Sequence, residues 1–196
     1  MSDNALIIFV KNPVLGKVKT RLAKTEGAQV ALDIYNKLIA FTQKETTKVN
    51  ADLIVYYSAN IIDNDAWGDI QKKLQAEGEL GEKISKAFES ELAQYQKVCI
   101  VGTDCAELTT NHINDAFVQL NAHNFVLGPA NDGGYYLLGM KQFEASLFEG
   151  IAWSTDLVLK QSIDKIDSIK STYHLLPELV DVDTIEDWKK VRENFE

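Results

Sequence analysis

Short apolar runs alternate with longer amphipathic stretches along this chain. The apolar runs are LIIFV, DLIVYYS, KVCIVG and NFVLG, and none of them contains an interior proline. Their continuous apolarity is typical of strands that helices cover on both faces, as in parallel sheets. The stretches AQVALDIYNKLIAFTQ and HINDAFVQLNAH instead repeat apolar residues every three or four positions, which predicts helices that pack on a sheet. The pattern therefore predicts an α/β protein with a mostly parallel sheet and helices on both faces.

Two segments modify this alternation, namely YYLLGM and the late segment TYHLLPELVDV, which precedes a last helix. YYLLGM follows NFVLG after only the loop PANDGG, which is too short for a crossover helix and predicts at least one antiparallel strand. The polar run GDIQKKLQAEGELGE is expected to be solvated surface. Because the sequence contains no repeat, low-complexity tract or Gly/Ser-rich linker, we expect one domain over residues 1–196.

Composition narrows the classes of function. The chain has 196 residues and a formal net charge of −9, which argues against a general nucleic-acid binder because such proteins need extensive positive surface. No window approaches the roughly 18 apolar residues of a membrane span, and the start lacks a signal peptide's basic and apolar regions. We therefore expect a cytoplasmic protein without a membrane span. Two cysteines cannot form a structural zinc site, and we expect Cys99 and Cys105 to be reduced and buried.

The loop after the first predicted strand is basic. Five of the chain's 20 Lys and Arg residues lie there: Lys11, Lys17, Lys19, Arg21 and Lys24. Pro13 and Gly16 shape a turn that leads into a helix, and such loops suit phosphate oxygens. The alternative is a set of solvated basic residues at the entry to a helix. The loop has neither the Walker spacing nor the GxGxxG pattern of dinucleotide-binding proteins.

Acidic residues follow two later apolar runs. Because ligands of open α/β sheets bind outside the carboxyl ends of the strands, Asp104 in GTDC is expected to face the same crevice as the basic loop. A carboxylate there can hold Mg²⁺ or Mn²⁺, although Asp also caps turns. In DVDTIEDW, Asp181 and Asp183 lie two positions apart, so a second carboxylate ligand could come from this segment. The alternative is an N-cap at Asp183 or Thr184.

A third acidic position lies in the loop PANDGG. Asp132 precedes Gly133 and Gly134, whose missing Cβ atoms leave room for a substrate beside the carboxylate. Ordinary hairpin chemistry explains the same three residues about as well. Asp132 is therefore a candidate catalytic residue that would orient an acceptor or accept its proton.

Together, KNPVLGKVKTRLA, GTDCAEL, GPANDGGYYLLGM, IAWST and DVDTIEDW resemble a bacterial glycosyltransferase-like family of the nucleotide-diphospho-sugar transferase superfamily, often labelled radical-SAM/selenodomain-associated transferases. The first loop is also similar to that of phospholactate guanylyltransferases. The resemblance covers nearly the whole chain and implies a GT-A fold. It implies phosphate binding by Lys11, Gly16, Lys19 and Arg21, metal binding by Asp104, and a second metal-side residue at Asp183.

These observations lead to a functional hypothesis. We expect a transferase that depends on Mg²⁺ or Mn²⁺ and uses a nucleotide-linked donor, with Asp104 and Asp132 as catalytic residues and a small molecule as acceptor. Transfer from a nucleotide sugar is the first expectation. The alternatives are nucleotidyl transfer from a nucleoside triphosphate with release of pyrophosphate, and a module that binds nucleotide without turnover.

Overall fold

Seven strands join in one mixed sheet in this computed structural model, which describes residues 2–195. The strands are β1 Asn4–Val10, β2 Asp52–Tyr57, β3 Gln71–Leu74, β4 Lys97–Val101, β5 Phe125–Pro129, β6 Tyr135–Met140 and β7 Tyr173–Leu175. The four apolar runs that predicted strands coincide with β1, β2, β4 and β5, since uninterrupted apolar residues can be buried on both faces of a sheet.

The described part of the chain forms six α-helices. They are α1 Thr20–Glu26, α2 Ala28–Thr46, α3 Leu80–Leu92, α4 Thr110–Gln119, α5 Val158–Ser168 and α6 Ile185–Val191. Short 3-10 helices cover Ala145–Phe148 and Arg192–Phe195. The two amphipathic stretches that predicted helices correspond to α2 and α4. Within residues 2–195, no helix is both long and apolar enough to cross a bilayer.

The strand order confirms the expectation of a mostly parallel sheet with an antiparallel member. The order is β3-β2-β1-β4-β6-β5-β7, and β6 runs antiparallel to both of its neighbours while the other pairs are parallel. The loop from β5 is too short for a crossover, so β6 must return alongside it. Because β6 starts at the edge where β4 and β5 end, the β5–β6 loop lies at the carboxyl edge of the sheet.

Apolar packing on both faces holds the sheet between the helices. In β1, Leu6, Ile8 and Val10 belong to one apolar cluster, whereas Ala5 and Ile7 belong to the cluster on the other face. This alternation follows from the two-residue period of a strand. Cys99 and Cys105 are both buried free thiols, as the sequence predicted.

The polar run at residues 68–82 corrects one expectation. It is not merely solvated surface, because Gln71–Leu74 forms the edge strand β3 beside β2. An edge strand has only one neighbour and exposes part of its surface, so it does not need the apolar run by which the inner strands are recognised.

Candidate functional site

A cavity of about 730 Å³ lies at the carboxyl edge of the sheet, and we call it the crevice. The parallel pairing of β1 with β4 places the loops that follow these strands side by side. The β5–β6 loop and the segments before α5 and α6 complete the walls. The lining includes residues 17–21, 100–105, 134–136 and 153–156, together with Lys11, Asp132, Asp181 and Asp183.

The crevice brings together six of the seven residues that the sequence singled out. These are Lys11, Lys19, Arg21, Asp104, Asp132 and Asp183. Gly16 differs, because it does not line the crevice. It has a φ of 74° in a turn where the Lys17 amide donates a hydrogen bond to the Val14 carbonyl over 2.9 Å. Glycine adopts this left-handed conformation without strain, so Gly16 shapes the loop.

Lys19 points into the carboxylates of the crevice. It precedes α1 with φ 45° and ψ 50°, a left-handed conformation that is unusual for a residue with a Cβ atom. Its side chain is only 4% exposed, and its Nζ lies 2.6 Å from Asp104 Oδ1 and 3.6 Å from Asp183 Oδ1. Burial alone would lower the pKa of Lys19, but attraction to Asp104, a side-chain hydrogen bond to Asp104 and attraction to Asp183 raise it above the ordinary value. Lys19 therefore places a charged ammonium group inside the crevice.

The carboxylates around Lys19 are not fully satisfied. Asp181 Oδ1 is buried without a hydrogen-bond partner among residues 2–195, whereas Asp104 Oδ1 lies 2.6 Å from Lys19 Nζ in an ion pair. Burial, followed by the negative charge of Asp104, raises the pKa of Asp181 to about 8. This shift favours the protonated form of the carboxyl group, which can donate a hydrogen bond to a ligand.

Backbone pairing explains how the DVD segment reaches Asp104. The amide of Val182 donates to the carbonyl of Asp104 over 3.0 Å, and Cys105 pairs with Asp181 in an isolated antiparallel bridge. Thr184 is the N-cap of α6, and its side chain accepts from the Asp187 amide. The two interpretations of this segment, a helix N-cap and a carboxylate at the site, are compatible. Thr184 caps the helix, while Asp183 lines the crevice.

Asp132 combines hairpin geometry with a place in the crevice. Its Oδ1 accepts from the Gly134 amide over 2.9 Å, which stabilises the β5–β6 turn. Gly133 has a φ of 85°, and a Cβ atom there would lie 2.3 Å from the Asp156 carbonyl oxygen. The loop thus packs directly against the segment before α5, so a side chain at Gly133 would displace one wall of the crevice.

Tyr35 is a positioning residue that the sequence did not reveal. Its hydroxyl accepts from the Lys11 amide and contacts the Lys11 carbonyl and Thr103 Oγ1, each at 3.0 Å. Tyr35 therefore joins the loop after β1 to the loop after β4. In the sequence it is one more apolar position on the buried face of α2, and the partner of its hydroxyl depends on the packing of that helix.

Apolar and aromatic residues also line the crevice. Trp153 lies edge-on to Tyr135 with ring centroids 6.5 Å apart, and both rings line the crevice beside Leu80 and Ile84. A Cβ atom at Gly81 would lie 2.1 Å from the Trp153 Nε1, so glycine at the start of α3 allows the indole to pack there. The crevice thus offers both charged and apolar surface to a ligand.

The crevice residues suit a hard divalent cation without enclosing one. Across residues 2–195, no three His, Cys, Asp or Glu side chains are grouped closely enough to hold a metal ion by themselves. However, Mg²⁺ commonly binds one or two carboxylates and takes its other ligands from water and substrate phosphates. The Asp104 carboxylate, which holds the Lys19 ammonium group, and the neighbouring Asp183 carboxylate are oxygen ligands of this kind.

Comparison with known proteins places the chain in a family. Residues 41–155 match the family model described as "Uncharacterized protein conserved in bacteria (DUF2064)". The chain belongs to the DUF2064 family. A comparison of this DUF2064 protein with curated proteins gave no match.

Solved structures share the fold of this DUF2064 protein. A protein from Desulfovibrio desulfuricans G20, provisionally described as a nucleotide-diphospho-sugar transferase, is 30% identical with a TM-score of 0.90, and the match covers 95% of this chain and 85% of that one. The inositol-1-phosphate CTP transferase from T. maritima is 13% identical with a TM-score of 0.63, over 99% and 95% of the two chains. Rv0371c from Mycobacterium tuberculosis H37Rv, crystallised with manganese, is 12% identical with a TM-score of 0.59, over 98% of each chain. The fold is that of nucleotide-diphospho-sugar transferases, as the sequence resemblance predicted, and the two distant structures support the fold alone.

Proposed function

We propose that this protein is a metal-dependent transferase that acts on a nucleotide-linked donor, with glycosyl transfer from a nucleotide sugar as its activity. The observation that carries the proposal is the meeting of Lys19 and Arg21 with Asp104 and Asp183 inside one crevice. A nucleoside diphosphate needs cationic groups for its phosphates, and a bound cation needs carboxylates beside them. The 30% identity to a protein described as a nucleotide-diphospho-sugar transferase supports the same reading.

Each basic side chain has a role in this proposal. Lys11, Lys19 and Arg21 bind the oxygens of the diphosphate, whose negative charge grows as the bond to the sugar breaks. Groups that hold this charge more strongly in the transition state than in the ground state accelerate the reaction. Asp104 and Asp183 would hold Mg²⁺ or Mn²⁺, which supplies further charge neutralisation at the leaving group when it is bound.

The acceptor is proposed to enter beside Asp132. The hydroxyl or other nucleophile of a small molecule would attack the anomeric carbon, and the bond between that carbon and the diphosphate oxygen would break. Asp132 orients the acceptor, or takes the proton that it loses. The aromatic wall formed by Trp153 and Tyr135 faces the same space, so it can cover one side of the bound ligand and exclude water.

A second candidate is nucleotidyl transfer. Four cationic side chains of the loop after β1 line the crevice, namely Lys11, Lys17, Lys19 and Arg21, and this concentration of charge also suits a triphosphate. In that reaction a phosphorylated acceptor attacks the α-phosphorus and pyrophosphate leaves. The released product separates the two activities.

The test is a thermal-shift screen followed by product analysis. Nucleoside triphosphates, diphosphates and nucleotide sugars are each added with and without Mn²⁺ or Mg²⁺ to the wild type, Asp104→Asn and Asp183→Asn. A ligand at about 100 times its Kd adds about 2.7 kcal/mol of stability. For a chain of this size that corresponds to about 5–10 °C in Tm. We expect a metal-dependent shift that both variants reduce.

The control is Asp164→Asn, because Asp164 is an exposed carboxylate on α5 that pairs with Lys160. This variant should keep the full nucleotide-dependent shift. Release of nucleoside diphosphate supports glycosyl transfer, whereas pyrophosphate supports nucleotidyl transfer. A metal-dependent shift without any product would favour a binding module. The absence of a shift with every nucleotide would overturn the proposal.

A further inference from the structure

The crevice of the ligand-free protein already contains a cation. Lys19 Nζ lies between the carboxylates of Asp104 and Asp183, 2.6 Å and 3.6 Å from one oxygen of each. Since these carboxylates are the groups that would hold a divalent cation, the ammonium group and the metal ion would compete for the same position.

We propose that Lys19 is an internal counter-ion that excludes free divalent cations from the crevice until a nucleotide arrives, an inference that rests on the proposed function. A metal ion between Asp104 and Asp183 would place two like charges at contact distance, because the buried Lys19 has little freedom to move toward water. Nucleotide phosphates supply a second anionic partner for the ammonium group. Lys19 then moves from the carboxylates to the phosphates, and the cation takes its place.

Two features of Lys19 fit an exchange of partners. Its Nζ is held by carboxylate oxygens, at 2.6 Å from Asp104 and 3.6 Å from Asp183, and phosphate oxygens offer the same kind of anionic partner. Its backbone is left-handed, with φ 45°, which costs free energy for a residue other than glycine. Both features are typical of a position that the surrounding structure holds for a purpose other than stability.

The nucleotide is therefore expected to raise the affinity for the metal. Because the coupling between two ligands is reciprocal, the metal raises the affinity for the nucleotide by the same factor. Much of this coupling is due to Lys19, because both the nucleotide and the metal ion favour the state in which Lys19 has left the carboxylates.

The experiment is a titration with Mn²⁺ alone, followed by the electron paramagnetic resonance signal of the free ion, at constant pH and ionic strength. Wild type, Lys19→Met, Lys19→Arg and Lys17→Met are compared without nucleotide. We expect Lys19→Met to bind Mn²⁺ at least about tenfold more tightly than the wild type, because a unit positive charge has been removed at contact distance from the ion. Lys19→Arg keeps the charge and should bind Mn²⁺ as weakly as the wild type.

Lys17→Met is the matched control. Lys17 is exposed on the same loop and also lines the crevice, so its replacement changes the net charge equally. We expect its affinity for Mn²⁺ to change by less than about twofold. If Lys19→Met does not fold, as judged by circular dichroism, Lys19→Gln provides the same loss of charge with a polar end that can contact Asp104.

Two results would overturn the inference. One is an affinity of the charge-removing variant that equals or falls below that of the wild type. The other is a wild type that binds the nucleotide and yet binds Mn²⁺ equally well with and without it. Both results concern Mn²⁺ binding and do not depend on turnover. Failure of the proposed function would instead appear as a lack of nucleotide binding, so the two failures are distinguishable.

Discussion

A single side-chain hydroxyl group joins two loops of the crevice. The hydroxyl of Tyr35 contacts both backbone groups of Lys11 and the side chain of Thr103, so one atom joins two loops that carry candidate site residues. Burial and the negative charge of Asp104 raise the pKa of Tyr35, so this hydroxyl keeps its proton. By contrast, the contact of Arg21 with Asp183 is exposed and contributes little to stability. We therefore expect Arg21 to matter for ligand binding and not for folding.

The change Tyr35→Phe tests this role. It leaves the ring in the core but removes three polar contacts, so we expect the free energy of unfolding to fall by about 1–3 kcal/mol. Nucleotide affinity should fall as well, because the loop after β1 loses its attachment to the loop after β4. Chemical denaturation and nucleotide titration measure the two effects.

Tyr95→Phe serves as the control for that variant. Tyr95 donates to Asp52, where β2 begins, at the opposite edge of the sheet from the crevice. Its removal should leave nucleotide affinity unchanged. Equal effects of the two variants on affinity would contradict a positioning role for Tyr35.

Contacts between helices stabilise the fold away from the crevice. Glu45, near the end of α2, accepts hydrogen bonds at about 3 Å from the amide and the hydroxyl of Thr110 at the start of α4. Lys48 pairs with the same carboxylate at 2.7 Å. Burial alone would raise the pKa of Glu45, but the hydrogen bonds from Lys48 and Thr110 lower it to about 2. The carboxylate therefore serves as a charged clamp at the N-terminus of α4.

The change Glu45→Gln is expected to lower the free energy of unfolding by about 1–2 kcal/mol at pH 7. Because the pKa is lower in the folded than in the unfolded chain, this contribution is fully present above the ordinary value of 4.5 and is lost as the pH falls toward about 2. The difference between wild type and variant in urea denaturation should therefore shrink with acidification.

Glu89→Gln is the comparison for the clamp. Its carboxylate is half exposed and pairs with Lys86 on one helix, so the change should cost less than about 0.5 kcal/mol. A loss at Glu45 that does not depend on pH would show that its charge is not what stabilises the helix pair.

The net charge of the molecule is opposite in sign to that of the loop after β1. The net charge is −9, yet the loop at residues 11–24 carries five basic side chains and no acidic one. Mutual repulsion of the excess negative charge destabilises the compact state, whereas the basic loop attracts an anionic ligand. Salt screens both interactions, which act in opposite directions.

Salt should therefore raise stability and lower nucleotide affinity. Between about 50 and 500 mM NaCl we expect the Tm without ligand to rise by a few degrees, while the Kd for the nucleotide rises several-fold. Thermal unfolding and nucleotide titration over the same salt series measure the two trends. A nucleotide affinity that does not respond to salt would contradict a binding site based on charged loops.

Much of this architecture can be predicted from local pattern. Continuous apolar runs predicted β1, β2, β4 and β5, and the short loop PANDGG predicted the antiparallel β6. These predictions are confirmed because burial on two faces and short loop length restrict local structure strongly. The edge strand β3 was missed, because an edge strand can be polar. The rule that ligands bind at the carboxyl ends of strands also led to Asp104 and to the basic loop, which the structure places in one crevice.

The sequence alone therefore established the kind of fold, the edge of the sheet that carries the candidate site and the charged residues at that edge. The tertiary structure decided which atoms meet there: Lys19 between two carboxylates, Asp181 buried with a raised pKa, and Gly16 outside the crevice. The reason is physical. Secondary structure follows from periodicities over a few residues, whereas burial and ion-pair distances depend on backbone pairing between distant segments, such as Cys105 with Asp181.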